Sequence, residues 1–322
     1  MNREDKMANL TSISQFLLLE FSEIRELQVL HFFVFLTIYL IAITGNLIMF
    51  AVIAFDHHLH TPMYFFLMNL AVLDLASVSV IVPKALANSL TNSRSISYSG
   101  CVAQVFFYFA FQSSDYAILT IMAYDRYVAI CNPLQYETLM HKGACIHMVF
   151  GAWVSGVLNA ILQTAGTFTI TFCSNIVNQF FCEIPQLLKL SCNDLYLIEV
   201  GFLLFGCSLG IGCFTFIVRT YIQIFSTVLR IPSVQGQKKA LSTCIPHITV
   251  VSLLVFTGLF VYARPPTDIS SYLAIAFSVI YAIIPPLLNP FIYTMRNKEI
   301  QTALWKLYNL GYFSKLSSVK LF

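Results

Sequence analysis

Residues 101–131 read CVAQVFFYFAFQSSDYAILTIMAYDRYVAIC. Between Cys101 and Tyr124 the only charged residue is Asp115, and then Asp125 and Arg126 stand side by side. An uncharged apolar run of about 20 residues crosses a bilayer as a helix and is too long for a barrel strand. The stretch therefore reads as a membrane-crossing helix that meets water at an acid and an arginine. A guanidinium at that depth is costly unless a partner or the interface accepts it, which marks Arg126 as a functional residue. The plainer reading is a snorkelling side chain that anchors the helix end.

Six further runs share this character: His31–Phe55, Thr61–Pro83 interrupted only by Asp74, the unbroken Ala144–Phe172, Val200–Val218 continuing amphipathically to Val228, Ala240–Ala263 and Ile269–Met295. Composition agrees, with 58% hydrophobic and 10% charged residues, against about 25% charged in soluble domains. The expected fold is an all-α membrane protein, a seven-transmembrane helix bundle with a short amphipathic C-terminal helix. Residues 1–30 form an outer N-terminal segment, 31–295 the bundle, and 296–322 an inner helix and tail. In that last part Ile300, Leu304, Trp305 and Leu307 fall at near-helical spacing among basic residues, as in a helix lying on a membrane surface. No internal repeat is visible, and an odd helix count argues against an inverted-repeat design.

Charge sets the orientation. With the amino terminus outside, most Lys and Arg, from Arg126 and Lys142 through Arg230, Lys238 and Lys239 to Arg296 and Lys298, lie in inner loops and tail, as the positive-inside rule requires. Residues 1–30 are too charged for a cleavable signal peptide. Asn9-Leu-Thr11 is a glycosylation acceptor usable only on the outer side. The apolar spans make a lipid bilayer the expected partner, and the net charge of +3 resides in short loops rather than on one face, so no nucleic-acid partner is expected.

Of nine cysteines, Cys101, Cys173, Cys182 and Cys192 fall outside, where disulfides survive. Their spacing leaves the pairing open. Cys244 and His247 stand one helical turn apart, but no further ligands accompany them, so packing is the reading and no metal site is expected.

Extended motifs then fall in register. Met122–Cys131 with Asn132-Pro-Leu-Gln-Tyr136 is joined by Gly45-Asn46, Leu59-His-Thr-Pro-Met-Tyr-Phe-Phe66, Lys239-Ala-Leu-Ser-Thr-Cys244 and Pro286-Leu-Leu-Asn-Pro-Phe-Ile-Tyr293. Over residues from about 10 to 310 the chain resembles the olfactory receptors, a branch of the rhodopsin-like G-protein-coupled receptors. The resemblance implies an odorant receptor of the plasma membrane, no enzyme, which activates a stimulatory heterotrimeric G protein and raises cyclic AMP. It implies a G-protein switch of Asp125, Arg126, Tyr127, Tyr221, Asn289, Pro290 and Tyr293. It also implies disulfides Cys101–Cys182 and Cys173–Cys192. Asn46, Asp74 and Asp115 look like the family's intramembrane polar cluster, with Asn289 nearby. Asp115 stands where glutamate is usual, and its shorter reach favours a hydrogen-bonded cluster over a bound sodium ion. No other cofactor is implied.

Counting outward along the third helix places Gln112 roughly 21 Å above Arg126. That level, with Tyr108, Phe109, Ser113 and Tyr116, is aromatic and amide-bearing and carries no charge. Phe205, Val255, Gly258, Tyr262 and Ala282 are the expected facing residues. Such a cavity suits a small, mostly apolar, volatile ligand. Helix packing is the plainer reading for each aromatic. Val255 replaces the family's usual tyrosine and Pro246 its usual serine. A transporter would need the repeat symmetry the chain lacks, and an enzyme would need a nucleophile–base set beyond the paired acids.

Overall fold

The computed structural model describes residues 13–19, 24–91, 93–192, 196–262 and 271–319. Seven helices long and apolar enough to cross a membrane are found among them: α1 (Arg25–Phe55), α2 (Pro62–Thr91), α3 (Tyr98–Cys131), α4 (Lys142–Phe168), α5 (Tyr196–Leu229), α6 (Val234–Tyr262) and α7 (Ser271–Arg296). An eighth, α8 (Lys298–Val319), follows directly. A helix of some 30 residues is about 45 Å long, so each exceeds the hydrocarbon core and carries its ends into the headgroups. Large apolar side chains on the outside, such as Leu47, Phe150, Leu158 and Ile211, are exposed. Such a belt would be an aggregation hazard in water and is what lipid tails require.

α3 is the axle. It packs against α4, α2, α5 and α6, and its buried face continues one cluster from Leu70 and Leu73 of α2 to Tyr221, Val250 and Tyr293. Two close approaches depend on glycine. A Cβ on Gly156 of α4 would sit 2.1 Å from Ser114 Oγ and 2.7 Å from the Ala110 carbonyl of α3. A Cβ on Gly45 of α1 would press on the Pro290 ring of α7 at 3.0 Å.

The end of the bundle opposite Arg126, the outer end in the orientation expected from charge, is sealed by a small sheet. β1 (Gln15–Leu18) pairs antiparallel with β2 (Ser95–Ser97) and parallel with β3 (Ile176–Val177). Phe16 and Leu18 are buried in a cluster with Cys101, Phe172 and Cys182. Cys101 is bonded to Cys182, and Cys173 to Cys192. The first bond ties the outer end of α3 to the loop that crosses the bundle mouth.

Several boundaries differ from the sequence expectation, three of them with a visible consequence. α1 begins at Arg25 rather than His31, because the Arg25 guanidinium donates to the carbonyls of Ser89 (2.9 Å) and Leu90 (2.8 Å) at the end of α2. α2 runs on through Pro83 to Thr91. α4 stops at Phe168, and Phe172 instead pairs with Ser191 in the outer loop.

Candidate functional site

At the inner end Arg126 Nε lies 4.0 Å from Asp125 Oδ2. That is a loose pair, and the carboxylate has a second partner. α3 ends at Asn132 and Pro133, a single 3-10 turn folds the chain back, and Tyr136 Oη donates to Asp125 Oδ1 at 2.8 Å. The phenol is held above its ordinary range, first by burial and then by the Asp125 charge. It therefore stays a donor. Tyr127 stacks on Tyr124 at 6.5 Å on the same helix.

About two turns back along α3 from Arg126, three helices meet on a buried imidazole. His247 Nε2 lies 2.9 Å from the Leu119 carbonyl of α3. A carbonyl can only accept, so this nitrogen carries the proton. Nδ1 is then the acceptor and takes the Tyr221 hydroxyl of α5 at 2.8 Å. A neutral His247, 1% exposed, thus joins α3, α5 and α6. Both ring nitrogens are engaged, which leaves neither for a metal beside Cys244.

At the centre the polar residues are arranged by proline. Pro290 has no N–H, so the Pro286 carbonyl four residues back loses its helical partner. Asn46 Nδ2 of α1 supplies the replacement at 2.9 Å. Asn289 Nδ2 donates to Asp74 Oδ2 at 2.9 Å. Asp115 lies within electrostatic reach of Asp74. The oxygens Asn46 Oδ1, Asp115 Oδ1 and Asn289 Oδ1 and the hydroxyl of Tyr293 are all buried without a protein partner.

In the outer half Tyr108 packs edge-on to Phe181 at 5.7 Å, in a buried cluster with Phe180 and Ala282. Phe109 borders the same cluster. Gln112 is partly buried. Val255 packs on the central core. A Cβ on Gly258 would lie 3.3 Å from the Tyr281 ring of α7. Above Ala282, one turn along α7, buried Ser278 accepts from Gln179 Nε2 at 2.6 Å, and the same amide nitrogen reaches Glu183 Oε2 at 3.2 Å. Glu183 is 3% exposed, and its Oε1 has no partner. Burial pushes this carboxyl up to about 7.

The family model described as olfactory receptor matches residues 35–309. The chain belongs to the olfactory receptor family. Human olfactory receptor 14I1 is 50% identical over 308 residues, covering 95% of this chain and 99% of that relative. Human olfactory receptor 14J1 is 48% identical over 302 residues, covering 94% of each. Among solved structures, squid rhodopsin superposes with a TM-score of 0.69 at 18% identity, over 84% of this chain and 77% of that one. That likeness establishes the fold. The family's members are signalling receptors, not enzymes, and the chain is a multi-pass membrane protein.

Some olfactory-receptor site residues are placed differently from the helical count. Ser113 does not stand free beside Gln112, because its Oγ accepts from Asn159 Nδ2 of α4 at 2.9 Å. Tyr116 Oη donates to the Gly210 carbonyl of α5 at 3.3 Å. Phe205 is 50% exposed and joins none of the buried clusters. The side chain of Tyr262, and all of Asn9, lie outside the described residues. Four polar residues had no site role in the sequence expectation: Tyr136, His247, Gln179 and Glu183. His247 carried a signal, a histidine in the middle of an apolar span. Tyr136 and Glu183 sit in loops whose return path the sequence does not specify.

Proposed function

We propose that this chain is an odorant receptor that takes a small, uncharged, largely apolar molecule in the outer half of the bundle. In this reading it activates a stimulatory heterotrimeric G protein at the inner end and raises cyclic AMP. Residues 1–24 lie outside the cell, α1–α7 form the bundle in the plasma membrane, and 296–322 face the cytosol. Asn9 is then on the side where it can be glycosylated.

The observation that carries this reading is the hydrogen-bonded bridge Tyr221–His247–Leu119, which joins three helices about two turns from Asp125 and Arg126. A G protein needs a cleft between those same helices. Opening α6 breaks the bridge and frees Tyr221 and Arg126 to face the cleft. A ligand drives this only through a higher affinity for the opened state. The apolar walls come from Tyr108, Phe109, Val255, Gly258 and Ala282, with Gln112 as the polar group. Ser113 and Tyr116 tie α3 to α4 and α5 and shape the cavity from behind.

The polar core is the hinge. Asn46, Asp74, Asp115 and Asn289 offer acceptor oxygens in excess of their donors. Such a set fits ordered water or a sodium ion. Either would hold α2, α3 and α7 together until the bundle rearranges.

The test is a cyclic AMP reporter screen against a chemically broad odorant panel, run on surface-displayed receptor beside Arg126→Ala. Odorant-evoked cyclic AMP in the parent chain, abolished in the variant at equal surface display, is the expected result. An Arg126→Ala receptor that responds as well as the parent would overturn it.

A further inference from the structure

At the Arg126 end of the bundle, away from the switch, α8 turns back against α1 and leaves a groove enclosing about 290 Å³. Its floor is apolar: Val52 and Phe55 of α1, Ala303 and Leu307 of α8. Its rim is polar. Lys306 Nζ lies 3.2 Å from Asp56 Oδ2, with the imidazoles of His57 and His58 alongside. The Asp56 Oδ1 oxygen accepts from the His58 amide at 3.1 Å.

Three features identify what the groove fits. First, it opens onto lipid. Ile41, Ile48 and Phe55 recur at seven-residue spacing on one face of α1 and are exposed, Phe55 at 74%. The floor therefore continues along the helix into the hydrocarbon. Second, the rim is at headgroup level. Trp305 and Tyr308 of α8 stack at 5.8 Å and are both exposed, and such amphipathic rings mark the membrane–water interface. Third, the rim presents opposite charges side by side, and neither is saturated. The Lys306 side chain is 53% exposed and gives Asp56 one of its three N–H groups. A purely anionic headgroup placed there meets the Asp56 carboxylate as well as the ammonium.

We propose that this groove is a binding site for a phospholipid with a zwitterionic, primary-amine headgroup, that is, phosphatidylethanolamine. The phosphate takes donors from Lys306 and the flanking imidazoles, and the ammonium donates to Asp56. An acyl chain lies on Val52, Phe55 and Leu307 and continues down α1. A choline headgroup fits less well, because its quaternary nitrogen has no N–H to give the carboxylate. The bound lipid would pin α8 to the inner end of α1, beside the linkage in which Tyr64 Oη of α2 donates to Glu299 Oε2 at 2.6 Å. The site requires only that the bundle lies in a membrane. It stands or falls separately from the odorant and G-protein reading.

The experiment is native mass spectrometry of the full-length receptor released from bilayers holding equal phosphatidylethanolamine, phosphatidylcholine and phosphatidylglycerol, with inorganic phosphate added in a parallel sample. The expected result is a retained phosphatidylethanolamine molecule that phosphate does not displace. Lys306→Ala lowers its retention about tenfold, the loss of one charged hydrogen bond. Asp56→Asn lowers it similarly and raises phosphatidylglycerol retention, a gain that simple loosening of α8 would not produce. Equal retention of all three lipids, preference for phosphatidylglycerol in the parent chain, or retention of detergent alone would overturn the proposal. The parent chain's own preference decides the matter even if either variant fails to fold.

Discussion

Replacing Glu183 by glutamine should remove a pH dependence from the stability of this receptor. The carboxyl is buried in the outer loop, bonded through Oε2 to Gln179 and unpaired at Oε1. Burial is the main cause that lifts it from 4.5 to about 7, and the Gln179 amide, the Lys189 charge and the Ser278 hydroxyl oppose that lift only in part. The shift corresponds to about 3 kcal/mol between the protonated and ionised forms. Its sign follows from linkage. The folded state holds the proton more tightly than the unfolded chain. The contribution is therefore fully present below about pH 4.5 and is lost as pH rises through about 7. At pH 8 the folded receptor carries a buried carboxylate whose ionisation costs that full amount.

Glutamine keeps an acceptor oxygen for the Gln179 amide and cannot ionise. The thermal midpoint of purified Glu183→Gln, compared with the parent from pH 4.5 to 8.5, should diverge in one direction only. The two curves should run parallel at the acid end. Above pH 7 the variant should melt higher, by about 5 °C or more. Other titrating groups are common to both proteins and drop out of the difference. A difference that is flat across the range, or a variant that melts lower at pH 8, would refute the assignment of this carboxyl as a buried and mostly uncompensated acid.

Two further outcomes test the packing and the inner bridge. Tyr221→Phe and His247→Ala should each alter signalling, and the double variant should be no worse than the more damaging single, because both remove the same hydrogen bond; additive losses in the cyclic AMP assay would show that the bridge is not one unit. Gly156→Ala should cost about 1–3 kcal/mol and most of the surface display, since its Cβ would meet Ser114 and the backbone of α3, whereas Gly151→Ala, with nothing within 4 Å, should be silent.

The seven spans were legible because a bilayer imposes a length and a polarity on every helix that crosses it. Helix ends were less legible, since they are fixed by partners far away in sequence. Arg25 looks like a residue of the outer segment until the carbonyls of Ser89 and Leu90 are brought to it. The strand Gln15–Leu18 was hidden for a different reason. Four residues of mixed character carry no usable period, and their pairing with Ile176–Val177 depends on a loop held by disulfides. Ser113 shows the limit of counting along a helix. It neighbours Gln112 and lies one turn above Tyr116, yet Asn159 from α4 captures its hydroxyl. The short polar side chains of α3 are claimed by whichever helix packs nearest, and that choice is made by Gly156, 43 positions further along the chain.

The distribution of unpaired polar atoms also bears on where such a bundle can move. In the outer half some buried amides are fully used and others are not: Gln104 donates to the Val80 carbonyl and accepts from the Cys182 amide, and Gln163 donates to the Phe202 carbonyl, while Asn88 Oδ1 and Asn159 Oδ1 are buried without a partner. Around α7 the unpartnered atoms gather beside prolines. Asn46, Asp115 and Asn289 each bury an acceptor oxygen without a protein donor, and Tyr293 buries a hydroxyl, within one stretch beside Pro285, Pro286 and Pro290. Each such group costs about 1–3 kcal/mol until something serves it. Water, a cation or a shifted side chain can do so, and each of these needs room. Proline has removed the backbone bonds that would make α7 rigid there. The helix is thus weakest where its surroundings have most to gain from rearrangement. In the proposed reading, a ligand acting on Ala282, one to two turns outward from Pro286 and Asn289, would push on the part of α7 least able to resist.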